Sequence, residues 1–125
     1  MPLVRSPLVE TVIGSAIEVH RALGPGLLES TYDRCLAYEL SLRHVDFVRQ
    51  HPLPVVYKDV RLDCGYRVDY IINGQLVVEL KAVDHLLPIH QAQLLTYLKL
   101  LQIRQGLLIN FNTPVLTAGV KSLLL

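Results

Sequence analysis

The chain has little charge of one sign to spare. Lys and Arg number 12 against 11 Asp and Glu, a net charge of +1, which excludes a broad, sequence-independent grip on nucleic acid. Any contact with a polyanion must be local. Cysteine is scarce: Cys35 and Cys64 stand alone, without CxxC spacing or a nearby histidine pair, so a disulfide framework and a structural zinc site are both disfavoured. Cys35 reads as core packing. Long apolar runs are missing as well, because Arg, Glu, Asp or Lys interrupts each one before the roughly 18 residues of a membrane span. Residues 1–6 carry a single Arg5 and none of the apolar stretch or small-residue cleavage site of a secretory leader. The expectation is a cytoplasmic protein with no membrane association.

What the chain does have is material for a core. It is 51% hydrophobic and 18% charged over 125 residues, which fits one domain spanning residues 1–125 and burying roughly two thirds of its unfolded surface. No repeat, low-complexity tract or linker divides it.

Ser6 followed by Pro7 is an N-cap and first-turn proline, and Val9, Val12, Ile13, Ala16, Ile17, His20 and Leu23 then recur at helical spacing. Gly24-Pro25-Gly26 ends that helix. A second is predicted over 28–42, with Leu28, Tyr32, Cys35, Leu36 and Leu40 as its stripe. Short β-branched or aromatic runs at 45–48, 53–57, 60–62, 66–72 and 76–80 read as strands of one hairpin-connected sheet. Asn73-Gly74 is the strongest hairpin signal. A third helix runs from Pro88 to about Leu101, and 106–111 is an apolar run of the kind covered on both faces. Residues 113–125 read either as a short helix or as a closing edge strand.

Polar residues where periodicity predicts burial are the informative ones. Glu29 shares a helical face with Tyr32 and Leu36 and is expected to point inward. Alternatively it is a first-turn carboxylate complementing the helix dipole. His20 interrupts an apolar stripe. Glu79 and Lys81 alternate by two and share one strand face, while Val78 and Leu80 fill the other. Opposite charges on such a strand are costly to bury unless they are used. Asp69, across the hairpin, could join them. Two carboxylates beside a lysine suit Mg²⁺: hard oxygens hold the ion and an ammonium positions the attacking water. On the third helix His90, Gln93 and Tyr97 share a face that Leu100 and Leu101 continue, as if lining a wet cleft at one end.

The hairpin register decides whether this set can meet. With a plain two-residue Asn73-Gly74 loop, Asp69 lies opposite Val78 and points away from Glu79. A three-residue loop with a left-handed Gly, or a bulge, shifts the pairing by one and brings Asp69 to the Glu79 and Lys81 face. The shifted register is the expectation.

Together these residues resemble the PD-(D/E)xK nuclease superfamily, and within it the small family named for a GxxExxY signature. Gly26-Leu27-Leu28-Glu29-Ser30-Thr31-Tyr32 fits that signature. Asp69 with Glu79-Leu80-Lys81 fits the D...ExK core, although Val68 stands where the superfamily's name has proline. Gln93-Leu94-Leu95-Thr96-Tyr97 fits a QxxxY motif. The resemblance implies an α/β (α+β) fold with a restriction-endonuclease-like αβββαβ core, a mixed central sheet flanked by helices. It implies a nuclease hydrolysing phosphodiester bonds in DNA or RNA with Mg²⁺ or Mn²⁺. Carried over, Asp69 and Glu79 are the metal ligands, with the Leu80 carbonyl a further candidate and Glu29 an accessory carboxylate. Lys81 acts on the attacking water, and Gln93 and Tyr97 position that water, Lys81 or a phosphate. His20 and Tyr32 are supporting neighbours. Arg67, Lys99 and Arg104 read as surface cations within reach of phosphates.

A different class is a nucleic-acid- or protein-binding module that keeps this fold without turnover. The leucine pairs at 86/87, 94/95, 100/101 and 107/108 and the Leu123-Leu124-Leu125 terminus could supply a homodimer interface.

Overall fold

The computed structural model describes residues 6–125. The reading of residues 1–6 as leaderless falls almost wholly outside that range. Helix α1 spans Pro7–Leu23 and α2 Glu29–Leu42. Strands β1 (Phe47–Pro52), β2 (Val55–Tyr57), β3 (Val60–Leu62), β4 (Arg67–Ile72) and β5 (Leu76–Lys81) follow. Then come α3 (Pro88–Leu101), β6 (Gln105–Asn110), a 3₁₀ turn (Leu116–Gly119) and β7 (Val120–Leu124).

Ser6 caps α1 as expected, its hydroxyl oxygen accepting from the Val9 amide at 3.1 Å. Gly24, at φ 73°, ends the helix in a conformation that only glycine adopts without strain. The apolar stripes of α1 and α2 meet: Val9, Val12, Ile13, Ala16 and Val19 pack with Tyr32, Leu36 and Leu40, and Cys35 fits against them. The outermost stripe positions differ from expectation. Leu28 is 74% exposed, because it is the N-cap of α2 and not part of its first turn.

The main sheet is mixed, with strand order β1-β4-β5-β6-β7. The β4-β5 hairpin is antiparallel, while β5 and β6 run parallel and are joined through α3, since parallel neighbours need a crossover. One face of the sheet carries α1 and α2 and the other α3. Strand β6 is buried from Gly106 to Asn110. The segment after it resolves into both of its alternatives in turn, a 3₁₀ turn and then β7 antiparallel to β6 as the closing edge strand.

The strands do not form one sheet. β2 and β3 pair only with each other, because β1 pairs directly with β4 and five of the six residues of the β2-β3 excursion are exposed, leaving no buried face to anchor it. β1 starts two residues later than its apolar run and extends through Gln50, His51 and Pro52; an exposed edge strand carries polar residues that periodicity does not flag. Most paired leucines are spent inside: Leu107 is buried in the α1-α2 cluster, Leu94 and Leu108 are buried in the α3-side cluster, and Leu86, Leu95, Leu101 and Leu123 pack against the latter. No described helix is long and apolar enough to cross a membrane.

Candidate active site

The hairpin loop spans three residues. Ile72 pairs with Leu76, Ile71 with Val77 and Tyr70 with Val78, so continuing the ladder sets Asp69 opposite Glu79. Asn73 and Gly74 take positive φ of 51° and 66° to make the turn. This is the shifted register, and it brings the carboxylates together. Val78 and Leu80 point into the α1-α2 cluster, leaving Glu79 and Lys81 on the α3 side by strand alternation.

Past Tyr70 the ladder changes character. The Asp69 amide donates to Glu79 Oε2 at 2.6 Å, and the Leu80 amide donates to Asp69 Oδ2 at 2.8 Å. Carboxylates thus accept from main-chain amides across the hairpin where strand carbonyls accept elsewhere. The neighbouring strand bends as well: Gln50, opposite Asp69 and between the Arg49-Tyr70 and His51-Val68 pairs, has φ 51°. Its side-chain amide donates to Asp69 Oδ1 at 3.4 Å. Strict alternation would put Val68 on the side of Tyr70, yet Val68 packs with Ile71 and Leu53 in the α3-side cluster. The strand rolls over at Asp69.

Burial and mutual repulsion set the electrostatics. Glu79 is 6% exposed, and desolvation followed by the Asp69 charge pushes its pKa up to about 8, against the opposing pull of the Asp69 amide and Lys81. Asp69 is also raised, by burial first and by Asp33, although the Leu80 amide and Lys81 favour its charged form. Lys81 ends β5 with its main chain fixed by β6, since its carbonyl accepts from the Phe111 amide at 2.9 Å. Buried Asn110, its register partner, accepts from the Val83 amide at 3.1 Å and donates to the Val83 carbonyl at 2.9 Å, which holds the chain leaving Lys81.

Glu29 does not point into the core. It is exposed at the first position of α2, but it stands close enough to the site for Asp69 to raise its pKa, after burial, and for Lys81 to lower it. The rest of its signature is a built loop. Gly26 takes φ 98°, and the hydroxyl of Tyr32, one turn into the helix, donates to the Gly24 carbonyl at 2.5 Å and accepts from the Leu27 amide at 3.1 Å. The Tyr32 ring stacks on Phe111, 4.6 Å between centroids. Tyr32 therefore sets where Glu29 stands without touching the acids. His20 is placed elsewhere: its Nε2 lies 2.8 Å from the Thr113 carbonyl, tying α1 to the loop after β6.

On α3, Gln93 and Tyr97 face the site together with His90. They line one wall of a groove of about 620 Å³ that also takes in Lys81, Leu53, Val55, Tyr66 and Leu100. Burial and the nearby Glu79 charge raise the Tyr97 pKa, so its hydroxyl keeps its proton.

Four contributors escape sequence reasoning. Asp33, one helical turn beyond Glu29, pairs with Arg49 at 2.6 Å and meets the Tyr70 hydroxyl at 2.7 Å. The i,i+4 spacing from Glu29 is a usable signal for Asp33; nothing local marks Arg49, Gln50 or Tyr70. The network braces α2 against the two strands that carry Gln50 and Asp69.

The donor set fits a hard divalent cation. Asp69 and Glu79 present only oxygen, and an added cation would offset the repulsion that raises both. Among the described residues no three His, Cys, Asp or Glu side chains converge as a metal cage.

A model of the PD-(D/E)XK nuclease superfamily matches residues 6–123. The chain belongs to that superfamily, and its mixed sheet flanked by helices is consistent with a restriction-endonuclease-like fold. No curated protein and no solved structure matches it.

Proposed function

We propose that this protein is a divalent-metal-dependent phosphodiesterase acting on DNA or RNA, of the GxxExxY branch of its superfamily. One observation carries the reading: Asp69 and Glu79 are locked against each other's strand while burial and proximity work against their charges. A fold has no structural reason to hold two carboxylates this way beside a lysine, because a pair of apolar residues would pack at lower cost.

Asp69 and Glu79 would hold Mg²⁺ or Mn²⁺, with the Leu80 carbonyl as a further oxygen. The ion, when bound, supplies positive charge for the scissile phosphate and acidifies water. Lys81 stands on the same strand face as Glu79 and orients the attacking water with its ammonium. Tyr97, kept protonated, and Gln93 donate hydrogen bonds to phosphate oxygens from the α3 wall. Glu29, at the solvent side, orients the incoming water. Tyr32 holds the loop that sets Glu29.

The test is cleavage of labelled single-stranded, duplex and branched DNA and RNA in Mg²⁺, Mn²⁺ or EDTA. Cleavage in metal that EDTA abolishes, and that Lys81→Ala slows by about 10²- to 10⁴-fold at an unchanged melting temperature, is the expected result. A folded protein that cleaves nothing in either metal overturns the reading and favours a binding module on the same fold.

A further inference from the structure

We propose that the groove beside Lys81 receives an unpaired base of the bound strand, which makes single-stranded nucleic acid the substrate; this rests on the phosphodiesterase reading. The groove's volume of about 620 Å³ lies within the range of small-ligand sites and far exceeds what a phosphate alone would fill. Its walls are mostly apolar, with Leu53, Val55, Tyr66, Tyr97 and Leu100 among them, and among the described residues that line it Lys81 brings a positive charge and there is no Asp or Glu. Tyr66 is 47% exposed and is held edge-on by Tyr97, with ring centroids 6.4 Å apart and planes at 63°. An aromatic ring fixed at one edge and open to solvent is a stacking platform.

Charge decides between strand types. A duplex presents phosphates outward and is gripped through a surplus of cations, whereas here 12 Lys and Arg are balanced by 11 Asp and Glu. A single strand presents base faces, and base-aromatic stacking contributes to binding without regard to sequence. Because Lys81 belongs both to the groove and to the candidate active site, the docked base is attached to, or next to, the nucleotide whose phosphate is cut.

The test is fluorescence anisotropy of the full chain, in Ca²⁺, with a labelled single strand of about 12 nucleotides, its duplex, and versions carrying one abasic position moved along the strand. Strand integrity is checked on a gel. The single strand should bind at least about tenfold more tightly than the duplex, and one abasic position should cost about tenfold, the scale of one stacked base. Tyr66→Ala should cost the intact strand the same factor and cost the abasic strand nothing. Ala92→Trp fills the groove from an exposed helix position and should reproduce the loss with the melting temperature unchanged. Equal affinity for the duplex, indifference to every abasic position, or no binding of any strand overturns the proposal. Cleavage in Mg²⁺ without base dependence removes the subsite and leaves the phosphodiesterase standing, whereas abasic-sensitive binding without cleavage does the reverse.

Discussion

The two ends of the β4-β5 hairpin are built from the same strands by opposite rules. At the turn end Ile72 and Leu76, Ile71 and Val77, and Tyr70 and Val78 pair through a regular ladder and bury apolar side chains on both faces. At the open end Asp69 and Glu79 accept from main-chain amides, the neighbouring strand carries a left-handed Gln50, and a buried and a half-buried carboxylate repel. The first end makes stability and the second consumes some of it. The hairpin can carry a strained acid pair because its other end is anchored in both cores, as stored strain at functional sites requires.

The largest stability effect should therefore come from the turn end. Ile72 is fully buried in the α1-α2 cluster, so Ile72→Ala should cost about 2–5 kcal/mol, read by urea denaturation. The folded fraction should keep its cleavage rate per molecule. A variant that stays folded with intact stability but loses activity would break the division of labour between the two ends.

Next in size is a pH effect confined to the open end. The folded-state pKa of Glu79 is raised from its ordinary 4.5 to about 8, so between those values the folded protein binds more protons than the unfolded chain. Stability then falls as pH rises through that window and levels off above it. Asp69 and Glu29, also raised, add to the same trend, and the Lys81 charge opposes it. Without divalent cation, the unfolding free energy from urea denaturation should decline from pH 5 to pH 8 by an amount on the order of a few kcal/mol. Glu79→Gln should flatten the decline and raise stability at pH 8. Adding Mg²⁺ should recover stability at pH 8 in the native protein and not in the variant. A flat profile in the metal-free native protein would mean the acid pair carries no such strain.

How much of this was legible beforehand depends on distance along the chain. Glu79, Lys81, Gln93 and Tyr97 declare themselves because strand and helix periods are local, and the hairpin register follows from asking which loop lets Asp69 join them. Glu29 was expected inward since it shares a face with Tyr32 and Leu36, but at the first position of α2 that face has already run out over solvent. His20 answers to Thr113, 93 residues away, a partner no spacing reveals. The separation of β2-β3 from the main sheet was hidden for a related reason: β1 takes the place beside β4 although five of its six residues are exposed, so no pattern of apolar residues marks which strand pairs there. Asp33 and Arg49 meet across a helix and a strand, and Gln50 is chosen by a backbone angle that its residue type does not advertise.

Gln50 offers the smallest and finest test of the contrast between the ends. Two things distinguish it, a left-handed φ of 51° and an amide 3.4 Å from Asp69 Oδ1, and a pair of substitutions separates them. Gln50→Gly removes the amide but suits the backbone, whereas Gln50→Ala removes the amide and keeps a Cβ where left-handed backbone disfavours one. The glycine variant should be the more stable of the two by about 1 kcal/mol, seen as a small shift in denaturation midpoint. Both should lose the same modest factor in Mg²⁺ dependence of cleavage, since both free Asp69 Oδ1 from its donor. If instead the two variants are equally stable, the bend in β1 is held by its partner strand and not by the residue at its apex. Asp69 would then owe its placement to β5 alone, through the Leu80 amide.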